Sequence, residues 1–98
     1  MSNQIPLRPI NIFAKSTGEI GEIELTLTLP NKEHVVTTAV EHRAFEAGAV
    51  FTNGNYVEGE HGKIRNLTAS GLVEFRFNAI GRDGLKSGWT TPIIVPVL

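Results

Sequence analysis

The chain contains no cysteine among its 98 residues, and this absence removes several chemistries at once. Without thiols it forms no disulfide, uses no thiolate nucleophile and offers no cysteine ligand to zinc. A small domain without such staples must be held together by its packed core alone. The sequence therefore predicts neither thiol catalysis nor a cysteine metal centre.

An excess of charge of either sign is missing as well. Nine Lys and Arg residues stand against ten Asp and Glu residues, which gives a net charge of −1. A protein that binds nucleic acid needs a basic stripe to neutralise phosphates, and no such stripe is present in the sequence. We therefore expect no nucleic-acid partner.

Long hydrophobic runs are also absent. No stretch approaches the roughly 18 apolar residues of a membrane span, and the segment 1–13 lacks the apolar run of a signal peptide. We expect no membrane insertion. A chain that natively begins at Met1 is expected to stay in the cytoplasm where it is made; if Met1 is not native, the domain would be part of a longer secreted chain.

What the chain does have is the composition of one globular domain. Its 98 residues are 41% apolar, enough for one core but not for a second lobe. No repeat, linker or low-complexity tract divides it. We predict a single domain over residues 1–98.

Strict alternation of apolar and polar residues is the dominant pattern. It runs through Ile23–Leu29 and Val73–Ala79, as in antiparallel strands that bury one face and leave the other in water. On this interpretation Glu74 and Arg76 face solvent. Further strands are predicted at Ile10–Ala14 and at Ile93–Leu98.

Turn residues separate these runs. Pro30–Lys32 closes one strand, while Asn53–Gly54 and Asp83–Gly84 have the chemistry of tight turns. Pro96 cannot donate to a ladder, so the last strand is predicted to lie at a sheet edge. About seven short strands result, which favours a β-sandwich.

The middle of the chain permits two interpretations. The segment 34–43 is rich in β-branched residues and is predicted to be a strand. Residues 38–47 are also compatible with a short helix capped by Thr38. We favour the strand because Val35, Val36 and Thr37 are poor helix formers.

The second half resembles a known family. Lys63–Thr68, then Gly71, then Val73–Trp89 followed by Thr91-Pro92, is similar to the end of a fibronectin type III domain. The resemblance implies an all-β, immunoglobulin-like sandwich of seven antiparallel strands. Four residues are then implied to lie in the core: Leu67, Phe75, Phe77 and Ala79. The segment around Asp83–Trp89 further resembles fibronectin type III domains of bacteriophage tail and virion proteins.

Two positions depart from the family pattern. The corner tyrosine is replaced by Val73, and the usual tryptophan of the second strand is replaced by Leu27 or Leu29. Both changes keep the core apolar. They therefore favour the same fold in a sequence that has diverged from the rest of the family. Trp89 is expected to pack at the core or rim of a sheet.

Candidate chemistry is sparse. Were they on one strand, His34 and His42 would lie roughly 26 Å apart, too far to share an ion, and Glu58, Glu60 and His61 sit together in one polar turn. No nucleophile elbow or glycine-rich phosphate loop is present. We predict no enzyme activity, no metal site and no cofactor.

Three loops are predicted to meet at one end of the sandwich, where binding residues usually lie. They are Pro30–Glu33, Asn53–Gly62 and Gly81–Ser87. The candidate binding residues on the last two loops are Asn53, Asn55, Tyr56, Arg82, Asp83 and Lys86.

By exclusion, the predicted function is structural or adhesive contact. The favoured version is a phage virion or tail accessory protein, assembled in the host cytoplasm and contacting other proteins. The alternative is a carbohydrate-binding or spacer module from a secreted bacterial enzyme or adhesin, whose partner would be a cell-surface glycan. The apolar end at Ile93–Leu98 predicts self-association through an exposed terminal edge strand.

Overall fold

A computed structural model describes residues 5–98, which form seven strands and two single-turn 3₁₀ segments. The strands are β1 (Ile10–Ser16), β2 (Ile23–Thr28), β3 (Thr37–Ala44), β4 (Thr52–Val57), β5 (His61–Ile64), β6 (Gly71–Ile80) and β7 (Ile93–Val97). The 3₁₀ turns are Lys32–His34 and Arg82–Gly84.

The strands form two antiparallel sheets. One has three strands in the order β1-β2-β5, and the other has four in the order β4-β3-β6-β7. The all-β prediction is confirmed. Residues 37–44 form β3, so the strand predicted over 34–43 is confirmed from Thr37 onward, whereas His34 ends a 3₁₀ turn; the helical alternative for 38–47 is wrong. Within residues 5–98, no helix is long and apolar enough to cross a bilayer.

The core lies between the two sheets because alternate residues of their strands point inward. Ile23, Leu25 and Leu27 of β2 are buried in one cluster with Phe75 and Phe77 of β6. Full burial of each such side chain stabilises the fold by about 1.5–3 kcal/mol. The four predicted core residues are all buried, as are the two leucines and the valine at the departures from the family pattern: Leu67, Phe75, Phe77, Ala79, Leu27, Leu29 and Val73.

The predicted edge and turn also hold. In the described chain β7 pairs only with β6, with Pro96 opposite Leu72, so the proline sits in an edge strand as expected. Asp83 and Gly84 both have positive φ, 62° and 76°, which a tight reversal of the chain requires.

Candidate functional site

The predicted loop at residues 53–62 does not exist as such. Asn53, Asn55 and Tyr56 lie within β4, and the chain reverses later, at residues 58–60. The prediction of a turn at Asn53–Gly54 is wrong. The partners of β3 jump from Asn55 to Thr52 across a single residue of β3, so β4 bulges at Gly54, whose φ is 117°. Asn-Gly tolerates the positive φ of a bulge as well as that of a turn.

The candidate residues therefore fall into two groups. Arg82, Asp83 and Lys86 lie in the connection between β6 and β7, which begins beyond Ile80. His42 of β3 lies opposite Thr52, the first residue of β4, and also opposite Phe75 of β6. The beginning of β4 is therefore level with Phe75, five residues before Ile80. At about 3.3 Å per residue this separates Asn53 from the other group by roughly 16 Å along the sheet. The structure does not bring all six residues into one site.

The N-terminal segment covers part of the end where the loops meet. Pro6 is fully buried, and a Cβ added to Gly81 would lie 2.8 Å from its Cγ. Asn31 holds the segment in place: its Oδ1 accepts from the Leu7 amide at 3.0 Å and its Nδ2 donates to the Ile5 carbonyl at 3.3 Å. This end of the domain is less open than the sequence predicted.

The outer face of the four-stranded sheet carries a stack of arginines and aromatic rings, which we call the arginine stack. The guanidinium carbons of Arg43 and Arg76 each lie 4.1 Å from the ring centroid of Phe51. Arg76 also lies 4.5 Å from the ring centroid of Trp89. Trp89 reaches this position because the chain beside it follows β6, where the Phe77 amide donates to the Thr90 hydroxyl at 3.0 Å.

Two ion pairs brace the arginine stack. Arg43 Nε donates to Glu74 Oε1 at 2.9 Å, and Arg76 Nε donates to Glu41 Oε1 at 2.9 Å. In each pair the partners are directly opposite on β3 and β6. The expectation that Glu74 and Arg76 simply face water is thereby corrected. The signal in the sequence was a Glu-x-Arg motif that occurs twice, at 41–43 and at 74–76. When two strands that carry this motif pair in antiparallel fashion, the Glu of each lies opposite the Arg of the other.

The outer face of the three-stranded sheet carries an open groove of about 510 Å³, larger than the depression of about 390 Å³ beside Phe45 and Glu74 on the other sheet. Phe13, Thr26 and His61 form one row across the three strands, and Lys15 and Glu24 form part of the next. All five line the groove, together with Ala14 and Leu25. Phe13 stands 71% exposed at the edge. Sequence reasoning missed this groove, since β1 and β5 were not aligned with β2.

Comparison with solved structures identifies the fold. The twitchin kinase region from C. elegans matches with a TM-score of 0.73 and 20% identity, over 96% of this chain and 17% of that chain. A family 76 glycoside hydrolase from a bovine Bacteroides thetaiotaomicron strain matches with a TM-score of 0.70 and 17% identity, over 94% and 21%. A Fn3-like protein from Clostridium thermocellum matches with a TM-score of 0.69 and 14% identity, over 97% and 98%.

The chain has a fibronectin type III-like fold. At these identities the likeness extends to the fold alone. No family model matches the chain, and no curated protein matches it. The chain spans about a fifth of the twitchin and glycoside hydrolase chains and nearly all of the Clostridium protein.

Three buried polar atoms of this fibronectin type III-like domain have no hydrogen-bond partner among the described residues: Thr38 Oγ1, His42 Nδ1 and Asn78 Oδ1. Burial lowers the pKa of His42 below its ordinary value of 6.5, because a charged imidazole is poorly solvated inside the protein. Its ring centroid lies 6.0 Å from that of Phe75. Burial thus favours the neutral form of His42 in the folded domain.

Among residues 5–98, Glu22 also has a shifted pKa. Its carboxylate accepts from the Thr17 hydroxyl at 2.7 Å and from Arg65 Nε at 2.8 Å. Both hydrogen bonds lower the pKa of Glu22 because they stabilise its charged form, and the one from Thr17 has the larger effect. Across residues 5–98, no three His, Asp or Glu side chains gather as ligands of one metal ion.

Proposed function

We propose that this chain is a non-enzymatic interaction domain that contacts another protein in a larger assembly. The observation that carries the proposal is an apolar patch at one end of the four-stranded sheet. Its members Phe45, Leu72 and Ile94 remain 52%, 52% and 48% exposed. Grouped apolar side chains on a surface are typical of protein contact sites.

The three side chains belong to one face by register. The Phe45 amide donates to the Leu72 carbonyl at 2.9 Å, which places these residues side by side. Ile94 lies opposite Glu74, two residues further along β6. Its neighbour Val95 points into the core, so Ile94 points outward with Leu72. The patch therefore adjoins the Arg43–Glu74 end of the arginine stack.

The outer edge of β7, which among the described strands pairs with β6 alone, supports contact at the same end, although the Leu98 carbonyl just beyond it already accepts from the Gly21 amide at 2.8 Å. An unpaired strand edge offers its amides and carbonyls to another strand, and Leu98 beyond it is 57% exposed. Pro96 removes a single amide from this edge. Pairing of β7 with a second copy of the chain is the self-association that the proposal includes.

The finer proposal is that the two sheets form a seven-stranded sandwich of fibronectin type III topology serving in a virion or phage tail. None of the three solved structures named above is described as a virion component. One observation favours the alternative, a spacer or carbohydrate-binding module of a secreted chain: in the glycoside hydrolase the matching part is 21% of a longer protein. Accordingly, the location is either the virion or the outside of the cell.

A photo-cross-linking residue placed at Ile94 of the full chain tests the proposed contact in cells that make the protein. Ile20, which is 88% exposed in the turn before β2 and outside the patch, is the matched control position. We expect one defined protein adduct from position 94 and none from position 20. A chain that gives no adduct from position 94, or equal adducts from both, would sink the proposal.

A further inference from the structure

We propose that the groove on the three-stranded sheet binds a neutral saccharide. The inference does not rest on the proposed protein contact, because the apolar patch belongs to the other sheet; it gives the carbohydrate-binding alternative named above a specific site. The groove, of about 510 Å³, lies within the roughly 300–1,000 Å³ typical of small-molecule sites. Its occupant must fit the side chains that line it.

The shape of the groove follows from the strand register. Phe13 of β1 and His61 of β5 stand on either side of Thr26, which is directly opposite both. Neighbouring strands lie about 4.8 Å apart, so the two flanking residues are separated by roughly 10 Å across the shorter Thr26. This leaves a gap between two ring-bearing side chains, with the backbone of β1 and β2 as its floor.

Phe13 provides an apolar wall. It is 71% exposed beside the polar Thr26 and His61 of the same row. The face of an aromatic ring carries partial negative charge, and the C–H face of a sugar ring carries partial positive charge. A pyranose can therefore lie against Phe13 while its hydroxyls point to the rest of the groove.

The remaining side chains match hydroxyl groups, which both donate and accept hydrogen bonds. Thr26 and His61 offer both functions, Lys15 donates and Glu24 accepts. Lys15 Nζ and Glu24 Oε1 lie 3.6 Å apart, beyond hydrogen-bond length, so each retains capacity to bond a ligand. Neighbouring hydroxyls of one sugar would fit between them.

Charge decides against other small ligands. Lys15 and Lys63 lie on either side of Glu24 in one row of the sheet; their ammonium groups disfavour a cation in the groove, and the carboxylate of Glu24, whose side chain is 31% exposed, disfavours an anion. A purely apolar ligand would leave Thr26, Lys15 and Glu24 without hydrogen bonds on binding. A neutral, polyhydroxylated ring satisfies all of these side chains.

The test is an NMR titration of the full chain, observed through its backbone amides. The neutral probes are methyl glucopyranoside, cellobiose, maltose and N-acetylglucosamine, and the charged probes are glucuronate and glucosamine. We expect at least one neutral probe to cause saturable shifts at Phe13, Thr26 and His61. No saturable shift with any neutral probe, shifts confined to other residues, or binding of charged probes alone would overturn the proposal.

Variants then assign the contacts. Phe13→Ala should weaken the binding of that probe at least tenfold, whereas Phe45→Ala, which removes an exposed phenylalanine from the other sheet, should leave it unchanged. Glu24→Gln keeps the shape of the groove and should also weaken binding. Equal affinity in Phe13→Ala and the parent chain overturns the site. None of these results depends on the photo-cross-linking at Ile94, so the two proposals can fail separately.

Discussion

The two sheets of this domain share one core but present different outer faces. On the four-stranded sheet the charged side chains pair with one another and stack on Phe51 and Trp89. On the three-stranded sheet the corresponding positions leave a groove and a loose ion pair between Lys15 and Glu24. Alternation of apolar and polar residues is thus compatible with a surface whose charged side chains bind one another and with a surface whose polar side chains remain available to a ligand.

The difference arises from what lies over each sheet. The segments around Phe51 and Trp89 fold back over β3 and β6 and bring aromatic rings to the arginines. Over β2 the neighbouring row is built from side chains of the strands alone. Aromatic coverage strengthens cation binding and excludes water, so we expect the stacked face to contribute to stability and the groove face to contribute little.

The largest loss in the free energy of unfolding is expected from a substitution in the shared core. Phe75→Ala removes a fully buried ring that both sheets contact, and it should lower the free energy of unfolding by about 3–5 kcal/mol. Urea denaturation followed by circular dichroism measures the loss. Phe45→Ala, at a half-exposed ring, is the control and should cost much less. Equal losses would mean that the inner and outer faces are wrongly assigned.

Arg76→Ala separates the two outer faces. The change removes two ring contacts and an ion pair, and should lower the free energy of unfolding by about 1–2 kcal/mol. Arg76→Lys keeps the charge but loses the planar group that lies between the rings, so it should recover only part of the loss. A cost under about 0.5 kcal/mol for Arg76→Ala would show that the stack is an arrangement without energetic consequence.

His42 makes the inner side of the four-stranded sheet sensitive to acid. Its pKa is lowered in the folded state by burial, so the unfolded chain binds a proton more readily. Stability is therefore fully present above the ordinary pKa of 6.5 and falls as the pH drops below it. The urea midpoint of unfolding should therefore decrease as the pH is lowered from about 7.5 to about 5.5.

Substitution identifies the group responsible. His42→Leu should flatten the pH dependence in this range, whereas His61→Gln, at an exposed position of β5, should preserve it. Glu22 acts in the same direction but at lower pH, because its lowered pKa lies below its ordinary value of 4.5. A slope that persists in His42→Leu would assign the effect to another group.

The smallest effect is expected on the groove face. Lys15→Ala removes an exposed partner of a 3.6 Å ion pair, and such pairs contribute about 0–1 kcal/mol. We expect a change under about 0.5 kcal/mol in the free energy of unfolding, measured as for Arg76→Ala. A loss as large as that of Arg76→Ala would erase the contrast between the faces.

The candidate site was predicted less well than the fold. Arg82, Asp83 and Lys86 were correctly placed in a connecting segment, whereas Asn53, Asn55 and Tyr56 were misplaced because Asn-Gly chemistry fits a bulge and a turn equally. The N-terminal segment over Gly81 was not foreseen, since its contacts cross from one end of the chain to the other. Local chemistry does not specify partners far away in sequence.

The sequence alone determined the inward face of each clearly alternating strand. Alternation at Ile23–Leu29 and Val73–Ala79 has the period of a strand, and burial of one face follows from the hydrophobic effect whatever the neighbouring strands are. The tertiary structure decided which polar side chains meet. Arg76 reaches Phe51 and Trp89, and Phe13 reaches the row of Thr26 and His61, only through strand order and register. Those depend on packing between segments distant in the chain, and so do both surfaces proposed to act.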